Sequence, residues 1–438
     1  MREPTLGNSR SGMEKDYTLS REQFVGLIAS LTAGLLISLP VLTHFSNVVL
    51  FPLAGIDINV RFLLMCFAVV LPGLGLIVAT RFRVPRIARY LAALIVLGTV
   101  ASYLKLPGVK WAVPPFLRLL ADLLTFVFAY NLALRGAWSY DKFLRWVSIA
   151  ACVPVAAGLF ELAFGFAELM NGALRLSGTF GGRTAGYSLF MLTMGVLTLG
   201  RSEFTFSQKV LWSLIVFVLL ATYSRQMIAA FAIALLGATW LQGRLRSVLP
   251  GIVFVGLLIP LLAPDMISTI WGRFKHATTI DWGVIKRASE NVTRYHWSEA
   301  GLDSSILVRL QTTVVGWQIF SENPIIGAGF GSFVPTFEAI TGRPDVAPHN
   351  DYLLYLVETG ILGFFLYLKV QYSVIKNLIL DKVKDEKVFC FSVGVGLAFI
   401  AFYVLAFLNN PYYYFEVHIW IWTGVGIAYA EIGKIRKK

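Results

Sequence analysis

Apolar segments long enough to cross a membrane dominate this chain. Of its 438 residues, 57% are hydrophobic and 14% are charged, whereas a soluble domain carries about 25% charged residues. A helix needs about 20 apolar residues to cross a bilayer, and the sequence holds about 12 segments of that kind. The sequence therefore predicts an all-α polytopic membrane protein. The predicted spans are residues 24–43, 60–79, 87–104, 113–134, 143–164, 184–200, 210–223, 226–241, 248–263, 352–375, 388–408 and 417–433.

The distribution of basic residues predicts the orientation of these helices. Short cytoplasmic loops collect Lys and Arg, and with both termini in the cytoplasm every inside segment is basic. These residues are Arg81, Arg83, Arg86, Arg89, Arg135, Lys142, Arg145, Arg201, Lys209, Arg244, Arg246, Lys376, Lys382, Lys384, Lys387, Lys434, Arg436, Lys437 and Lys438. The net charge of +13 is therefore mostly a topology signal. No nucleic acid is expected as a partner, because no binding motif or soluble basic domain is present; anionic membrane lipids suffice.

The spans divide the chain into five regions. Residues 1–23 form a cytoplasmic N-terminal segment that precedes an uncleaved anchor, residues 24–263 hold transmembrane helices 1–9, residues 352–433 hold helices 10–12, and residues 434–438 form a basic cytoplasmic tail. Residues 264–351 form one large non-cytoplasmic loop. Loops of this length are usually functional or disordered, and the tryptophans and phenylalanines of this one favour an ordered segment packed against the membrane.

Local signals predict structure inside this loop and near the N-terminus. Residues 303–320 are expected to form a helix that begins at the Asp303-Ser304 cap. The pair at 323–324, Asn-Pro, ends this helix, and glycines at 327, 329 and 331 then lead towards His349. Residues 47–58 are apolar enough to re-enter the membrane or to lie on its surface.

His349 is the best candidate for chemistry in the chain. It lies in the run Ala347–Leu353, where the large loop meets the next predicted span. Asn350 or Asp351 is expected to cap the helix that follows, since either side chain can accept its free N–H groups. The positive end of the helix dipole disfavours imidazolium, so the ring is expected to stay neutral and able to accept a proton. The alternative is a loop histidine that only caps or packs.

Four arginines at the same predicted membrane face need an explanation. Arg175 and Arg183 flank a glycine-rich loop that can present backbone N–H groups to an anion. Arg225 lies where one span reaches the surface and the next begins, and Arg309 projects from the predicted loop helix. An arginine at membrane depth is costly unless it pairs with a carboxylate or a phosphate. For each arginine, a structural ion pair or a side chain that reaches lipid headgroups remains the alternative.

The acidic, histidine and cysteine residues complete the set of candidates. Glu358 lies seven residues after Asp351 on the same predicted helix face, where it can pair with an arginine or orient the site. Glu161 and Glu168 are equally plausible as structural partners, and His44 and His418 are expected to be interfacial. No group of His or carboxylate residues has metal-ligand spacing, so neither a metal nor another cofactor is expected. The three cysteines fall within predicted helices and indicate no disulfide.

Four motifs in a fixed order resemble those of a known family. They are Ser177-Gly178-Thr179-Phe180-Gly181; Tyr223-Ser224-Arg225; Arg309 followed by Asn323-Pro324-Ile325-Ile326-Gly327-Ala328-Gly329-Phe330-Gly331-Ser332-Phe333; and His349-Asn350-Asp351-Tyr352-Leu353, closed by Glu358-Thr359-Gly360-Ile361-Leu362-Gly363. Each is weak alone, but their order at one predicted membrane face is specific. Over about residues 175–370, the chain resembles the O-antigen ligase and polymerase superfamily, and the ligases most.

The resemblance implies an activity and a site. It implies a GT-C-like glycosyltransferase of the Gram-negative inner membrane that moves a glycan from undecaprenyl diphosphate to the sugar core of lipid A at the periplasmic face. Direct displacement by the acceptor would invert the anomeric centre, and guanidinium groups can stabilise the leaving diphosphate without a metal. By position, His349 would be the base, and Arg225, Arg309 and Arg183 would bind the donor diphosphate. The supporting residues would be Arg175, Asn350, Asp351, Tyr352 and Glu358. The chain has Gly181-Gly182-Arg183 where many relatives have Gly-Asn-Pro-Asn, which leaves the role of Arg183 open.

Two other interpretations compete with a ligase. A glycan polymerase or a protein O-oligosaccharyltransferase would share the donor site, because acceptor choice resides in variable loop surface. A secondary transporter would also have twelve helices, but transporters place ionisable and helix-breaking residues near the bilayer midplane, usually in repeated halves. The sequence gives no indication of the oligomeric state.

Overall fold

A computed structural model describes residues 21–43, 49–53, 56–59, 83–105, 109–165, 168–170, 173–180, 184–243, 245–262, 304–344, 346–381, 383–407 and 414–437. The helices in these ranges are α1 Arg21–Leu42, α2 Arg86–Lys105, α3 Val109–Leu134, α4 Tyr140–Phe164, α5 Thr184–Thr198, α6 Phe206–Ala221, α7 Arg225–Gln242, α8 Leu245–Leu262, α9 Ser304–Glu322, α10 Phe333–Thr341, α11 Asp351–Ile375, α12 Glu386–Leu405 and α13 Phe415–Ile435. A 3-10 turn at Gly178–Phe180 precedes α5, and a π-helical turn at Lys376–Leu380 follows α11.

The helical membrane architecture predicted from the sequence is confirmed. Within the described ranges, six helices are long and apolar enough to cross a membrane: Glu22–Leu42, Arg86–Lys105, Trp111–Leu134, Tyr140–Phe164, Asp351–Leu380 and Glu386–Leu405. Thr184–Thr198 and Phe206–Ala221 are shorter apolar helices. The predicted span 60–79 lies outside the described residues, so the count of twelve stays a prediction.

Two short antiparallel hairpins interrupt the helical fold. Strands β1 Val49–Leu53 and β2 Ile56–Asn59 pair with each other, as do β3 Glu168–Met170 and β4 Ala173–Arg175. The first hairpin occupies the segment expected to re-enter the membrane or lie on its surface. An antiparallel pair satisfies half of the backbone groups of each strand. The apolar composition of this segment did not by itself predict the hairpin.

Polar caps explain where several helices begin. Ser139 and Asp385 accept backbone N–H groups at the starts of α4 and α12. At the start of α6, Thr205 Oγ1 accepts from the amide of Gln208, and the Gln208 side chain accepts in return from the amide of Thr205. These side chains replace partners that the first turn of a helix lacks.

Helix α13, most of whose residues are buried, runs parallel to α3. The ring of Phe126 in α3 meets the rings of Trp422 and Tyr429 edge-on, with centroids 5.8 and 5.5 Å away. Gly426 lets the backbones approach closely, since a Cβ there would contact the carbonyl of Phe126. Aromatic packing of this kind holds two helices together without a polar contact.

Several of the described motif residues lie at helix starts that share one end of the bundle. Gln242 Nε2, at the end of α7, donates to the carbonyl of Cys390 near the start of α12 at 3.3 Å, so α7 and α12 are antiparallel. Gly200, just after α5, packs against Gly394 of α12, so α5 is antiparallel to α12 as well. The beginnings of α5, α7 and α11 therefore lie beside the end of α12. We call this the motif end, defined by Thr184, Arg225, Asp351 and Ala406.

The helix α11 is interrupted inside its apolar length. Gly360 has φ 62° and ψ −170°, a conformation that essentially only glycine adopts. The amides of Ile361 and Leu362 donate to the carbonyls of Pro324 and Ile325. In return, the carbonyls of residues 357 and 358 accept from the amides of residues 328 and 329 at 2.9 Å. In a regular helix the amides of residues 361 and 362 would donate to the carbonyls of residues 357 and 358. Here all four groups bond to the glycine-rich segment instead.

Replacing Gly360 with alanine is expected to lower the stability of the protein. The backbone strain alone costs about 1–3 kcal/mol, and a Cβ would collide with the carbonyl of Ile325 and the amide of Gly327. Thermal unfolding in detergent measures the effect. Gly34→Ala in α1 is the matched control, because a Cβ there meets nothing within 4 Å; a loss of stability as large in the control would contradict the explanation.

Candidate functional site

His349 lies in the last turn of chain before α11. Asn350 caps this helix, since its side chain accepts from the amide of Leu353 at 3.0 Å. Of the two caps that the sequence allowed, Asn350 is the one used. The amide of Asp351 donates to the carbonyl of Ala406 at 2.8 Å, and Asp351 is buried. His349, itself half-buried, is therefore held at a helix N-terminus whose position is fixed by the end of α12.

Tyr352 strengthens this junction. Its hydroxyl donates to Gln371 Oε1 at 2.9 Å and lies 3.2 Å from the carbonyl oxygen of Tyr403. Its ring stacks on Phe407 with a centroid distance of 3.9 Å. Tyr352 thus adds side-chain contacts between the start of α11 and the end of α12 to the main-chain bond of Asp351.

Glu358 anchors the glycine-rich segment. Its carboxylate Oε1 accepts from the amide of Gly331 at 2.8 Å, and the side chain is buried. The positive charge of Arg118 on α3 acts on this carboxylate. The sequence predicted that Glu358 would pair with an arginine or orient the site. The structure shows it fixing a loop, with Arg118 as a nearby cation that the sequence analysis did not single out.

Helix α2 completes the support of this segment. Ser102 Oγ accepts from the amide of Phe330 at 2.7 Å, and the Phe330 ring lies against Gly98. Gly329 and Gly331 have positive φ angles of 94° and 70°, and each passes close to backbone, at Ser102 and Trp111 respectively. The glycine spacing therefore serves close backbone packing.

Arg309 lies on the loop helix that packs against α11. The predicted helix is present as α9, and its predicted cap residue, Asp303, lies outside the described residues. Gly316 of α9 packs against Leu353 of α11. Arg309 is seven residues earlier, which places it on the same face of α9 and about 10 Å away along the axis. Its side chain is half-buried.

Arg225 is the first residue of α7, and the turn before it is strained. Tyr223 has φ 52°, and among the described residues it is the one non-glycine residue in the left-handed region. Such conformations cost about 1–3 kcal/mol and cluster at functional sites. Arg225 is half-buried and lies at the motif end, on a different helix from His349 and Arg309.

The remaining arginines are placed only in part. The backbone of Arg175 pairs with Glu168 in the β3–β4 hairpin, and nothing is described of its side chain; Arg183 lies outside the described residues. Between them, Ser177 donates through its amide and its hydroxyl to the Glu161 carboxylate, at 2.9 and 3.0 Å. Of the roles considered for Glu161, the structure shows a structural one.

A buried histidine–aspartate pair is the main feature that the sequence analysis missed. His418 was expected to be interfacial, but it is 5% exposed, and its Nδ1 lies 3.1 and 3.0 Å from the two carboxylate oxygens of Asp122. The prediction for His418 was therefore wrong, because the first turn of α13 is covered by α3 and α12. A signal was available: Asp122 is an acidic residue within a predicted span, and such residues almost always have a partner.

No metal site accompanies these groups in the described ranges, where no three His, Cys, Asp or Glu residues are grouped to hold an ion. The motif end instead offers a histidine at a helix N-terminus, arginines on α7 and α9, and a rigid glycine-rich segment. These groups can accept a proton and stabilise an anion.

The fold and the site together define a multi-pass helical membrane protein with its polar motifs gathered at one end. Residues 210–368 match the family model described as O-antigen ligase. This match supports the membership of the chain in the O-antigen ligase superfamily, as the motif resemblance predicted. The matched region contains Arg225, Arg309, His349 and Glu358. A comparison with curated proteins found no match.

Proposed function

We propose that this protein is an O-antigen ligase that transfers a glycan from undecaprenyl diphosphate to a sugar hydroxyl of lipid A-core, which completes lipopolysaccharide. The observation that carries the proposal is that His349 and Arg225 lie at helix starts on the same side of the bundle, with the Glu358-anchored glycine segment docked on the helix that follows His349, within a region that matches the O-antigen ligase family. A lipid-linked donor can place its tail between helices and its diphosphate at that end.

The proposed chemistry is a direct displacement. The acceptor hydroxyl oxygen attacks the anomeric carbon, the bond from that carbon to the diphosphate oxygen breaks, and the hydroxyl proton passes to the His349 imidazole. A sugar hydroxyl is a poor nucleophile, so a positioned base contributes about 10²- to 10⁴-fold. Arg225 and Arg309 stabilise the negative charge that develops on the diphosphate, with Arg183 and Arg175 as further candidates. A single displacement inverts the anomeric centre.

The proposed location is the inner membrane of a Gram-negative bacterium. The basic residues near the ends of the helices opposite the motif end favour a cytoplasmic side there, with both termini inside. The motif end then faces the periplasm, where glycans carried on undecaprenyl diphosphate would meet lipid A-core. The proposed partners are these two substrates and the surrounding lipids.

A deletion strain tests the proposal most directly. We expect its lipopolysaccharide to run on a gel as bare core, while polymer linked to the carrier accumulates. Transfer by the purified chain, from a defined carrier-linked donor to lipid A-core, is the matching assay in vitro. Core that still bears full-length polymer in the deletion strain would contradict a ligase.

A polymerase is the second candidate, because the same family covers related polymerases. Loss of a polymerase would leave core bearing a single repeat unit, so the same gel separates the two. A protein O-oligosaccharyltransferase would instead leave a protein without its glycan. A transporter is disfavoured, since His349 and Arg225 lie at helix starts at one end of the bundle, whereas transporters place their ionisable residues near the bilayer midplane.

Transfer is expected to be independent of divalent metal. The arginines can take the charge-stabilising role that Mg²⁺ has in many phosphate-transferring enzymes. The purified protein should therefore keep its activity in EDTA. A collapse of transfer in EDTA with recovery on added Mg²⁺ or Mn²⁺, but not on added Ca²⁺ as the control ion, would contradict the scheme.

A further inference from the structure

The buried Asp122–His418 pair lies where few proteins place ionisable groups. Asp122 is 4% exposed and His418 is 5% exposed, on two helices that lie among apolar neighbours. Burying a carboxylate and an imidazole together is costly unless each satisfies the other. Both carboxylate oxygens lie within 3.1 Å of the same ring nitrogen, which fixes the orientation of the ring.

Stability gives little reason for such a pair. One turn and more further along the same two helices, the rings of Phe126, Trp422 and Tyr429 already pack α3 against α13. Replacing a buried ion pair with apolar residues of similar size is often neutral or stabilising. The value of this pair therefore lies in the geometry that it imposes on its neighbours.

One neighbour leads to His349. The ring of Phe402 in α12 meets the His418 ring edge-on, with centroids 4.6 Å apart. One turn further along α12, the carbonyl of Ala406 accepts from the amide of Asp351. Asp351 follows His349 by two residues. The His418 ring therefore contacts the same turn of α12 that holds the His349 segment in place.

The other neighbour leads to the glycine-rich segment. Asp122 lies one turn after Arg118 on α3, and residues four apart share a helix face. Arg118 acts on the Glu358 carboxylate, which accepts from the amide of Gly331. The pair thus has one link to the His349 segment, through α12, and one to the glycine-rich segment, through α3.

We propose that Asp122 and His418 form a positioning pair that fixes the end of α12 and the face of α3, and thereby aligns His349 with the Glu358-anchored segment for transfer. This inference rests on the proposed function for its catalytic consequence, but its structural consequence can be measured separately. The pair does not touch the substrates; it acts through Phe402, Ala406 and Arg118.

The test compares variants of the full-length chain in lipid nanodiscs. Asp122→Leu combined with His418→Leu should keep the thermal stability of the wild type, keep KM for the donor within about twofold, and lower kcat by about tenfold or more, because misplacement of about 1 Å can cost up to about 10²-fold. Asp122→His combined with His418→Asp restores the contact with its partners exchanged and should recover most of the lost kcat. Phe126→Leu is the control, since it loosens the same interface without touching the pair.

Hydrogen exchange gives a readout that needs no substrate. In the double leucine variant, the amides of Asp351 and Leu353 should exchange faster than in the wild type, whereas Phe126→Leu should leave them unchanged. If the double leucine variant fails to fold, Asp122→Val alone decides in the same way, because it removes both oxygens that contact His418 Nδ1. Faster exchange in a protein whose wild type transfers no glycan would support the positioning pair and overturn the proposed function. Wild-type kcat and exchange in a folded variant would overturn the positioning pair.

Discussion

Replacing His349 with alanine is expected to lower glycan transfer by about 100-fold or more, the contribution of a missing general base. The fold should survive, because the helix that follows keeps its Asn350 cap and its bond from Asp351 to Ala406. Donor binding should also survive, since the proposed diphosphate contacts come from arginines. Single-turnover rates with carrier-linked donor measure transfer, and titration with the donor measures binding separately.

Two comparisons separate a base from a residue that only orients the acceptor. His349→Gln should stay as inactive as the alanine variant, because an amide donates and accepts hydrogen bonds but takes up no proton. In the wild type, transfer should fall at acid pH as the imidazole becomes protonated, and residual activity of the variant should lack that acid limb. Ile325→Ala, an exposed change in the glycine-rich segment, is the control and should be close to wild type. Near-normal turnover in His349→Gln would remove the base assignment.

The alanine variants of Arg225 and Arg309 are expected to lose about 100- to 1,000-fold in kcat/KM each, the usual cost of removing one donor to a developing anion. Lysine at either position should recover activity only in part, because an ammonium lacks the forked donors of a guanidinium. Transfer rates over a range of donor concentrations give kcat/KM for each variant. Binding of undecaprenyl diphosphate alone shows whether the loss lies in the contact with the diphosphate.

An arginine at the opposite end of the helices gives the matched control. Arg436 pairs with Asp381 at 2.8 Å and is half exposed, so Arg436→Ala removes an equal charge far from the motif end and should leave transfer unchanged. Wild-type donor affinity and turnover in the folded Arg225→Ala and Arg309→Ala variants would exclude both residues from the diphosphate site.

Local sequence signals predicted the elements of the site well. The Asn-Asp pair before an apolar run indicated the start of α11, and the structure confirms a capped helix there. Asp303-Ser304 and the spacing that follows indicated the loop helix, which is present as α9. In both places, cap and periodicity act over a few residues, so the sequence alone carries the information.

Features that depend on distant partners were missed. Asp122 and His418 are 296 residues apart, and nothing local indicates that they meet. The interruption at Gly360 was missed for a similar reason, because glycine is common in membrane helices and the apolar pattern continues on both sides of it. Only the donors and acceptors of residues 324–329 reveal that the helix is broken. The anchoring roles of Glu161 and Glu358 likewise become visible only with their partners in place.

The interruption at Gly360 also bears on how the chain is assembled in a membrane. Backbone groups without partners are strongly disfavoured in hydrocarbon, and the carbonyls of residues 357 and 358 and the amides of residues 361 and 362 find their partners in residues 324–329. The span that begins at Asp351 therefore cannot reach its final form as a self-contained helix that inserts alone and packs afterwards. Its completion and the docking of the preceding glycine-rich segment are therefore coupled. A chain stalled before that docking would expose an unfinished helix to lipid and to membrane quality-control proteases.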